Sequence, residues 1–124
     1  MKRHEKHIKV YDDITQLYKQ YFRCHQHLPK PFRFTTGERI LHDIAYCLKT
    51  VSRVNHLMKH HDPRLPDLLN DAMASLDVVH AYLSIAWELT WLSHGQLVEL
   101  SNRIAQIQKQ LYGWRRWHLA KAST

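Results

Sequence analysis

The sequence predicts an all-α fold, an up-down antiparallel four-helix bundle formed by one domain over residues 1–124. Two observations predict this class. Apolar residues recur at alternating steps of three and four in four long segments, which is the period of an amphipathic helix. Only three glycines and four prolines occur in 124 residues, so the chain lacks the frequent turns of a β sandwich or barrel. Because short connections join the four segments, neighbouring helices are expected to run antiparallel.

The first predicted helix follows a basic lead-in, residues 1–9, and its pattern stops near His27. Its apolar stripe is Val10, Ile14, Leu17 and Tyr21. Two prolines in residues 28–34 predict an extended or turn path for that segment, because proline interrupts a regular helix.

The second helix is predicted to begin at Thr35 or Thr36. A hydroxyl followed three residues later by the carboxylate of Glu38 has the form of a capping box. Its apolar stripe is Ile40, Ile44, Cys47, Leu48, Val51, Val54 and Met58. The sequence His-His-Asp-Pro at residues 60–63 is expected to end it.

The third and fourth helices are predicted on either side of a second capping box, which runs from Ser93 to Gln96. The third helix is expected to begin between Pro63 and Asp67 and to run to Leu92. Its apolar stripe is Leu68, Leu69, Ala72, Leu76, Val79, Leu83, Ala86 and Trp87. The stripe of the fourth helix is Leu97, Leu100, Ile104, Ile107, Leu111 and Trp114.

Positive charge is the dominant feature of the composition. Lys and Arg number 18 against 11 acidic residues, which gives a net charge of +7 and a pI of about 9.6. Residues 1–61 carry +7, residues 62–99 carry −5 and residues 100–124 carry +5, so the third helix is acidic and the rest of the chain is basic. Such a balance indicates a polyanionic partner, either nucleic acid or an acidic protein surface.

The sequence contains none of the common catalytic motifs HExxH, GxxxxGK[ST], GxGxxG and GxSxG. We therefore expect neither enzyme activity nor a cofactor. His56 and His60 are four apart on one helix face and could hold a transition metal, but the sequence places no suitable third ligand beside them. No metal site is expected.

Cysteine usage and hydropathy indicate a soluble chain in a reducing compartment. Cys24 and Cys47 form no CxxC pattern and are expected to be buried as small apolar residues rather than bridged. No apolar run reaches 18 residues, and the basic lead-in lacks the apolar core of a secretory signal. The expected location is the cytoplasm, without membrane contact.

The basic tail, residues 115–124, follows a segment in which aromatic and cationic side chains alternate. Arg can bind phosphate through two hydrogen bonds, and Trp can stack on a base. Trp114 continues the apolar stripe of the fourth helix, so we assign it to the core. Trp117 either covers the end of the bundle or stacks on a base.

Three short stretches match the motifs of a known family in the same order. They are PFRFTTGERI at residues 31–40, LSHGQ at residues 92–96 and YGWR at residues 112–115. With them and the spacing of its four helices, the chain resembles the accessory variability determinant (Avd) family of diversity-generating retroelements from about Tyr11 to Lys121.

The resemblance implies a function without catalysis. Members of the family are small basic four-helix bundles that assemble as barrel-shaped homopentamers. They bind the retroelement's reverse transcriptase and its template-repeat RNA. For this chain the resemblance implies a reverse transcriptase and a structured RNA as partners, with DNA or an RNA/DNA hybrid as alternatives to the RNA. The complex makes mutagenised cDNA, and the accessory protein supplies basic surface and architecture.

One departure from the family affects the expected binding surface. The family often carries arginines on its third helix, where this chain has Asp67, Asp71, Asp77 and Glu88. The nucleic-acid surface is therefore expected elsewhere. The candidate binding residues are Arg33, Arg39, Arg103, Lys109, Arg115 and Arg116.

A protein-only scaffold is the main alternative. In that interpretation the acidic third helix binds basic helices of a partner, and the excess Lys and Arg only keep the chain soluble. RNA binding would then be negligible, whereas charge reversal at Asp71 and Asp77 would break assembly.

Overall fold

The computed structural model describes the backbone of residues 3–122 and the side chains of residues 9–58 and 60–121. Within residues 3–122 the chain is helical and has no strand, and four of its helices are long. They are α1 (Arg3–His25), α2 (Glu38–Leu57), α3 (Leu65–Glu88) and α4 (His94–Ala122). The predicted all-α class with four long helices is confirmed. The side chains of Lys2, Arg3 and Lys6 in the basic lead-in lie outside the described residues.

The four helices form a ring of neighbours in chain order, in which α1 packs against α2 and α4 and lies diagonally opposite α3. Polar pairs show the direction of the helices. Gln20 Nε2 donates to Glu99 Oε2 (3.1 Å), and Gln110 Nε2 donates to Asp13 Oδ2 (2.7 Å). Since a late position of α1 meets an early position of α4 and the reverse, these two helices run antiparallel.

The predicted apolar stripes build the core. All four stripe residues of α1 are fully buried, and most of the stripe residues of the other helices are buried as well. Leu48, Leu68 and Leu97 are partly buried and pack against the core. Trp87 is an error in the prediction, because it is 41% exposed and lies outside the core. Its neighbour Ala86 takes the buried position at the end of α3.

The approach to α2 differs from the prediction. The extended path ends at Pro29, and the chain is helical over Lys30–Phe32, passes through a π turn at Arg33–Gly37 and continues into α2. Pro31 lies in the first helical turn, where proline is tolerated because that turn needs no N–H donor. A rule that treats two prolines as a connection therefore places the helix start several residues late.

The first predicted capping box does not form. Gly37, the residue before α2, has helical backbone angles, and no side chain caps that position. The Thr35 hydroxyl instead donates to the carbonyl of Pro31, one turn earlier in the same helical segment. Because the helix has already begun at Lys30, the backbone N–H groups near Thr35 need no cap.

The second predicted capping box forms as expected. Ser93 Oγ accepts from the Gln96 N–H (3.0 Å), and Gln96 Oε1 accepts from the Ser93 N–H (2.9 Å). Each side chain thus satisfies a backbone donor of the other residue, which is the defining geometry of a capping box. Helix α4 starts at His94, directly after this cap.

Helix α3 ends at Glu88, four residues before the predicted end at Leu92. Thr90 takes a left-handed backbone conformation (φ 66°), and its N–H donates to the Trp87 carbonyl. The Trp91 N–H reaches back five residues to the Ala86 carbonyl. These two bonds make a Schellman motif, in which a left-handed residue terminates the helix. The prediction missed it because glycine usually occupies that position, and here it is threonine.

Candidate nucleic-acid interface

Trp114, directly before the basic tail, and Trp117, within it, both pack against the core of the bundle. Trp114 is buried in the core, as predicted. Trp117 is half-buried and packs against the core at the end of the bundle, with its ring centroid 6.3 Å from that of His61. Little of the Trp117 ring is therefore free to stack on a base, which was the second alternative for this residue.

The three cations predicted in the second half of α4 do not share one face. Arg115 faces α3, where its Nη1 donates to Asn70 Oδ1 (2.6 Å) and its guanidinium lies 5.0 Å from the Tyr112 ring centroid. Lys109 and Arg116 are both exposed. They are seven residues apart, so they share one face of the helix. Arg115 is thus engaged within the fold, and the other two are accessible.

Two other predicted cations are also engaged within the fold. Arg33 lies in the π turn, donates to the Gln26 carbonyl (3.0 Å) and places its guanidinium 4.9 Å from the Phe34 ring centroid. Arg103 faces α1, where its Nε donates to Gln20 Oε1 (3.0 Å). The predicted binding residues therefore do not form one surface.

A long basic surface lies on the outward face of α2. Six exposed residues recur there at steps of three, four, three, four and three, which aligns them along the helix. We name them the α2 basic stripe: Arg39, His42, Tyr46, Lys49, Arg53 and His56. At 1.5 Å per residue the stripe is about 25 Å long. Of the predicted residues, only Arg39 belongs to it.

The cations of the α2 basic stripe are available for an outside partner. Within the described part of the chain, no hydrogen bond or ion pair engages the side chains of Arg39, Lys49 and Arg53. Arg103 and Arg115, by contrast, each hold a hydrogen bond to a neighbouring helix. A cation without an internal partner can bind phosphate without first breaking a contact in the fold.

Acidic side chains border the stripe on the side of α3. Asp43 and Asp71 line a shallow groove between α2 and α3, and Tyr46 of the stripe lies at its edge. A polyanion bound along the stripe is therefore repelled from this groove. The charge pattern confines an anionic partner to the outward face of α2 and to the side that faces α1.

Sequence reasoning missed most of the stripe, although the sequence contains its signal. The same three-four spacing that marks the core of α2 recurs one position away, in residues that are polar. Such a set is ordinarily read as a solvated face. Only the fold shows that this face is exposed along its whole length and that no described acidic residue pairs with its cations.

A buried polar cluster fixes the π turn to the end of α1. Tyr21 Oη lies 3.1 Å from His25 Nδ1 and donates to the Gly37 carbonyl (3.4 Å). His25 Nε2 lies 3.8 Å from Glu38 Oε1. Burial lowers the pKa of His25, Glu38 partly offsets that effect, and Arg33 adds to it. Burial also raises the pKa of the Tyr21 hydroxyl, which therefore stays protonated.

The cysteines and the histidine pair considered in the sequence form no reactive or metal-binding site among the described residues. Cys24 and Cys47 are free and buried, as predicted, and burial raises the pKa of Cys47 to about 12, which suppresses the reactive thiolate. His56 and His60 are exposed, and the described residues contain no group of three potential metal ligands. The expectation that the protein holds no metal stays a prediction.

The comparisons with known proteins leave the geometry as the main guide to function. No family model matches the chain, and no curated protein or solved structure matches it either. Among the described residues, no helix combines the length and the apolar character that crossing a bilayer requires.

Proposed function

We propose that this protein is a non-catalytic accessory subunit that binds structured RNA through the α2 basic stripe. The observation that carries the proposal is the alignment of three cations, Arg39, Lys49 and Arg53, along about 21 Å of exposed helix, without an ion pair among the described residues. Tyr46 lies between Arg39 and Lys49 and adds an aromatic surface. This combination of free cations and an aromatic ring suits a nucleic-acid partner.

Binding through the stripe depends on phosphates more than on base sequence. Arg39 and Arg53 can each bind a phosphate through two hydrogen bonds, and Lys49 acts as a point charge. Base edges in an A-form RNA helix are poorly accessible to a row of side chains on one helix. The expected result is binding that depends on shape and charge, with a strong dependence on salt.

We further propose that the RNA partner is the template of a diversity-generating retroelement and that a reverse transcriptase is the protein partner. This part of the proposal rests on the resemblance to the Avd family over residues 31–40, 92–96 and 112–115. The complex would support mutagenic cDNA synthesis. The free cysteines are in keeping with a cytoplasmic location.

The proposal includes a homo-oligomer, and the resemblance makes a pentamer the expected form. The outward face of α3 supports self-association, because Val78, Ile85 and Leu89 expose 42–48% of their surface at helical spacing. An assembly would present several basic stripes to one RNA and multiply weak contacts into useful avidity.

The test compares two double variants that remove the same charge. Lys49→Gln with Arg53→Gln removes two cations from the stripe, and Arg115→Gln with Arg116→Gln removes two from the tail. Fluorescence anisotropy with a structured RNA at several salt concentrations gives the affinity and its salt slope. Each lost phosphate contact should flatten the slope of log K against log salt by roughly 0.9, so the stripe variant should lose roughly 1.8.

The tail variant is expected to change less, since Arg115 is held by Asn70. An unchanged slope in the stripe variant together with a flattened one in the tail variant would move the interface to α4. If the wild-type protein binds no RNA at about 50 mM salt, where counterion release favours binding most, the RNA-binding function is wrong.

A protein-interaction scaffold is the second candidate, and the acidic, partly apolar α3 favours it. Asp67 and Asp71 are exposed on the same helix as Val78 and Ile85, which suits a basic amphipathic helix of a partner. Charge reversal at Asp67 and Asp71 would then abolish assembly. Asp77 is a poorer test position than the sequence suggests, because its carboxylate accepts from Gln108 Nε2 (2.7 Å) and joins α3 to α4.

A further inference from the structure

Three rings lie in a row along α1, and we name them the α1 ring ladder: Tyr18, Phe22 and His25. The centroids of Tyr18 and Phe22 are 6.3 Å apart with an interplanar angle of 11°, and those of Phe22 and His25 are 6.1 Å apart at 20°. Tyr18 and Phe22 are 37% and 42% exposed, whereas His25 is buried beneath them. Two nearly parallel aromatic rings are thus open to solvent on a rigid helix.

The ladder lies on the side of α1 that faces α2. Its buried member, His25, lies 3.8 Å from the carboxylate of Glu38, which is the first residue of α2. Because α1 and α2 pack side by side, the ladder and the α2 basic stripe occupy adjoining surfaces of the bundle. A single ligand can reach both.

The surroundings of the ladder are basic. Lys19 and Arg23 are exposed, and each directly follows one of the two open rings. Arg33 binds the Gln26 carbonyl, one residue beyond the ladder. The sequence has no acidic residue between Asp13 and Glu38. Glu38 lies beside the buried His25, whereas the charged residues that directly follow the two exposed rings are cations. Exposed rings next to cations complement a polyanion that carries flat apolar groups, which is the chemistry of single-stranded nucleic acid.

We propose that the α1 ring ladder is a binding site for unpaired bases of single-stranded nucleic acid. Tyr18 and Phe22 stack on the bases, and Lys19 and Arg23 hold the adjoining phosphates. A duplex hides the faces of its bases, so it binds only through its phosphates. This inference rests on the proposed function and deepens it: the stripe binds the backbone of an RNA, and the ladder selects its unpaired segments.

The test uses anisotropy with three labelled probes of equal phosphate number: a uridine oligonucleotide, the same backbone without bases, and a duplex. Phe22→Leu keeps an apolar side chain but removes the ring, Phe22→Tyr retains the ring, and Trp87→Leu is the control at an exposed aromatic residue of α3. Phe22→Leu should weaken binding of the uridine oligonucleotide about tenfold. It should leave the abasic probe, the duplex and the salt slope unchanged, and Phe22→Tyr should match the wild type.

The outcomes separate the ladder from the function on which it rests. If Phe22→Leu binds the uridine oligonucleotide as the wild type does, or loses affinity equally for the abasic probe, the ladder does not bind bases. The proposed function would survive that result, because duplex binding would still depend on Lys49 and Arg53. If the wild type binds none of the three probes, both proposals are overturned.

Discussion

At the scale of single residues, Gly37 is the most tightly constrained position described above. Its backbone is helical, so its small size matters rather than its conformational freedom. A Cβ there would lie 2.8 Å from His25 Cε1 and 3.1 Å from Tyr21 Oη, both on buried side chains. Gly37→Ala is therefore expected to lower the free energy of unfolding by about 1–3 kcal/mol.

Gly113 provides the matched control for this prediction. It lies inside α4, and a Cβ added there meets no atom within 4 Å. Gly113→Ala should raise the free energy of unfolding by about 0.5–1 kcal/mol, since alanine favours a helix interior. Urea unfolding of both variants checks the pair. Equal effects at the two positions would contradict the close packing of Gly37 against His25.

His25 makes the stability depend on pH. Its pKa is lowered in the folded state, so the unfolded chain binds more protons in the window just below pH 6.5. The contribution of His25 is thus complete above about pH 6.5 and declines as the pH falls through that window. The difference in unfolding free energy between the wild type and His25→Gln should shrink from pH 7 to pH 5.

The measurement is urea unfolding at several pH values, with His94→Gln as the control at an exposed histidine. Tyr21 Oη, Glu38 and Arg33 are the polar and charged groups around His25. A difference that grows toward pH 5 would mean that Glu38 outweighs burial and that His25 binds a proton more readily in the folded state. A constant difference would mean that the two effects cancel, and either result contradicts the prediction.

At the scale of secondary structure, the sequence predicts two capping boxes, and only the one before α4 forms. Ser93 caps α4, whereas Thr35 caps nothing, because the helix has already begun at Lys30 and the Thr35 hydroxyl donates to the Pro31 carbonyl. Ser93→Ala should therefore cost about 1 kcal/mol, and Thr35→Ala should change stability by less than about half of that. Thermal unfolding of the two variants measures the contrast. A larger loss in Thr35→Ala would support the capping box that the sequence predicts there.

The stripes of the four helices were predictable because burial imposes its period directly on the sequence. Helix ends were less predictable. The prolines before α2 allow either a connection or a first helical turn, and the Schellman motif at Thr90 uses a residue that seldom takes a left-handed conformation. The edge of an apolar stripe was also hard to predict. Trp87 was assigned to the stripe of α3, but it lies just outside the core, whereas its neighbour Ala86 is buried.

At the scale of the whole molecule, the binding surface was harder to predict than the fold. The tail near Trp117 is a candidate in the sequence because its aromatic and basic residues are adjacent there. The α2 basic stripe and the α1 ring ladder are spread over one helix each, and their members come together only when the helix forms. The exposure of Lys49 and Arg53, and the lack of an ion-pair partner for either among the described residues, are properties of the fold.

The proposed oligomer gives a prediction at the same scale. Lys substitution at Val78 and Ile85 places two cations on the exposed apolar face of α3 and should reduce the assembly to single chains. Size-exclusion chromatography with light scattering measures the mass. Val98→Lys on α4, at a similarly exposed position, is the control. A mass that is the same in the wild type and the α3 variant would show that this face makes no subunit contact.

The placement of the acidic α3 diagonally opposite α1 has a kinetic consequence. Separated charge gives the protein an electric dipole, and the field of a long polyanion exerts a torque on it before the two touch. If RNA is the partner, as proposed, this torque turns the molecule so that α1 leads and the acidic α3 trails, which raises the fraction of collisions that are productive. The torque acts only within a screening length of about 10 Å at 0.1 M salt. Added salt should therefore slow the association step more than it speeds dissociation.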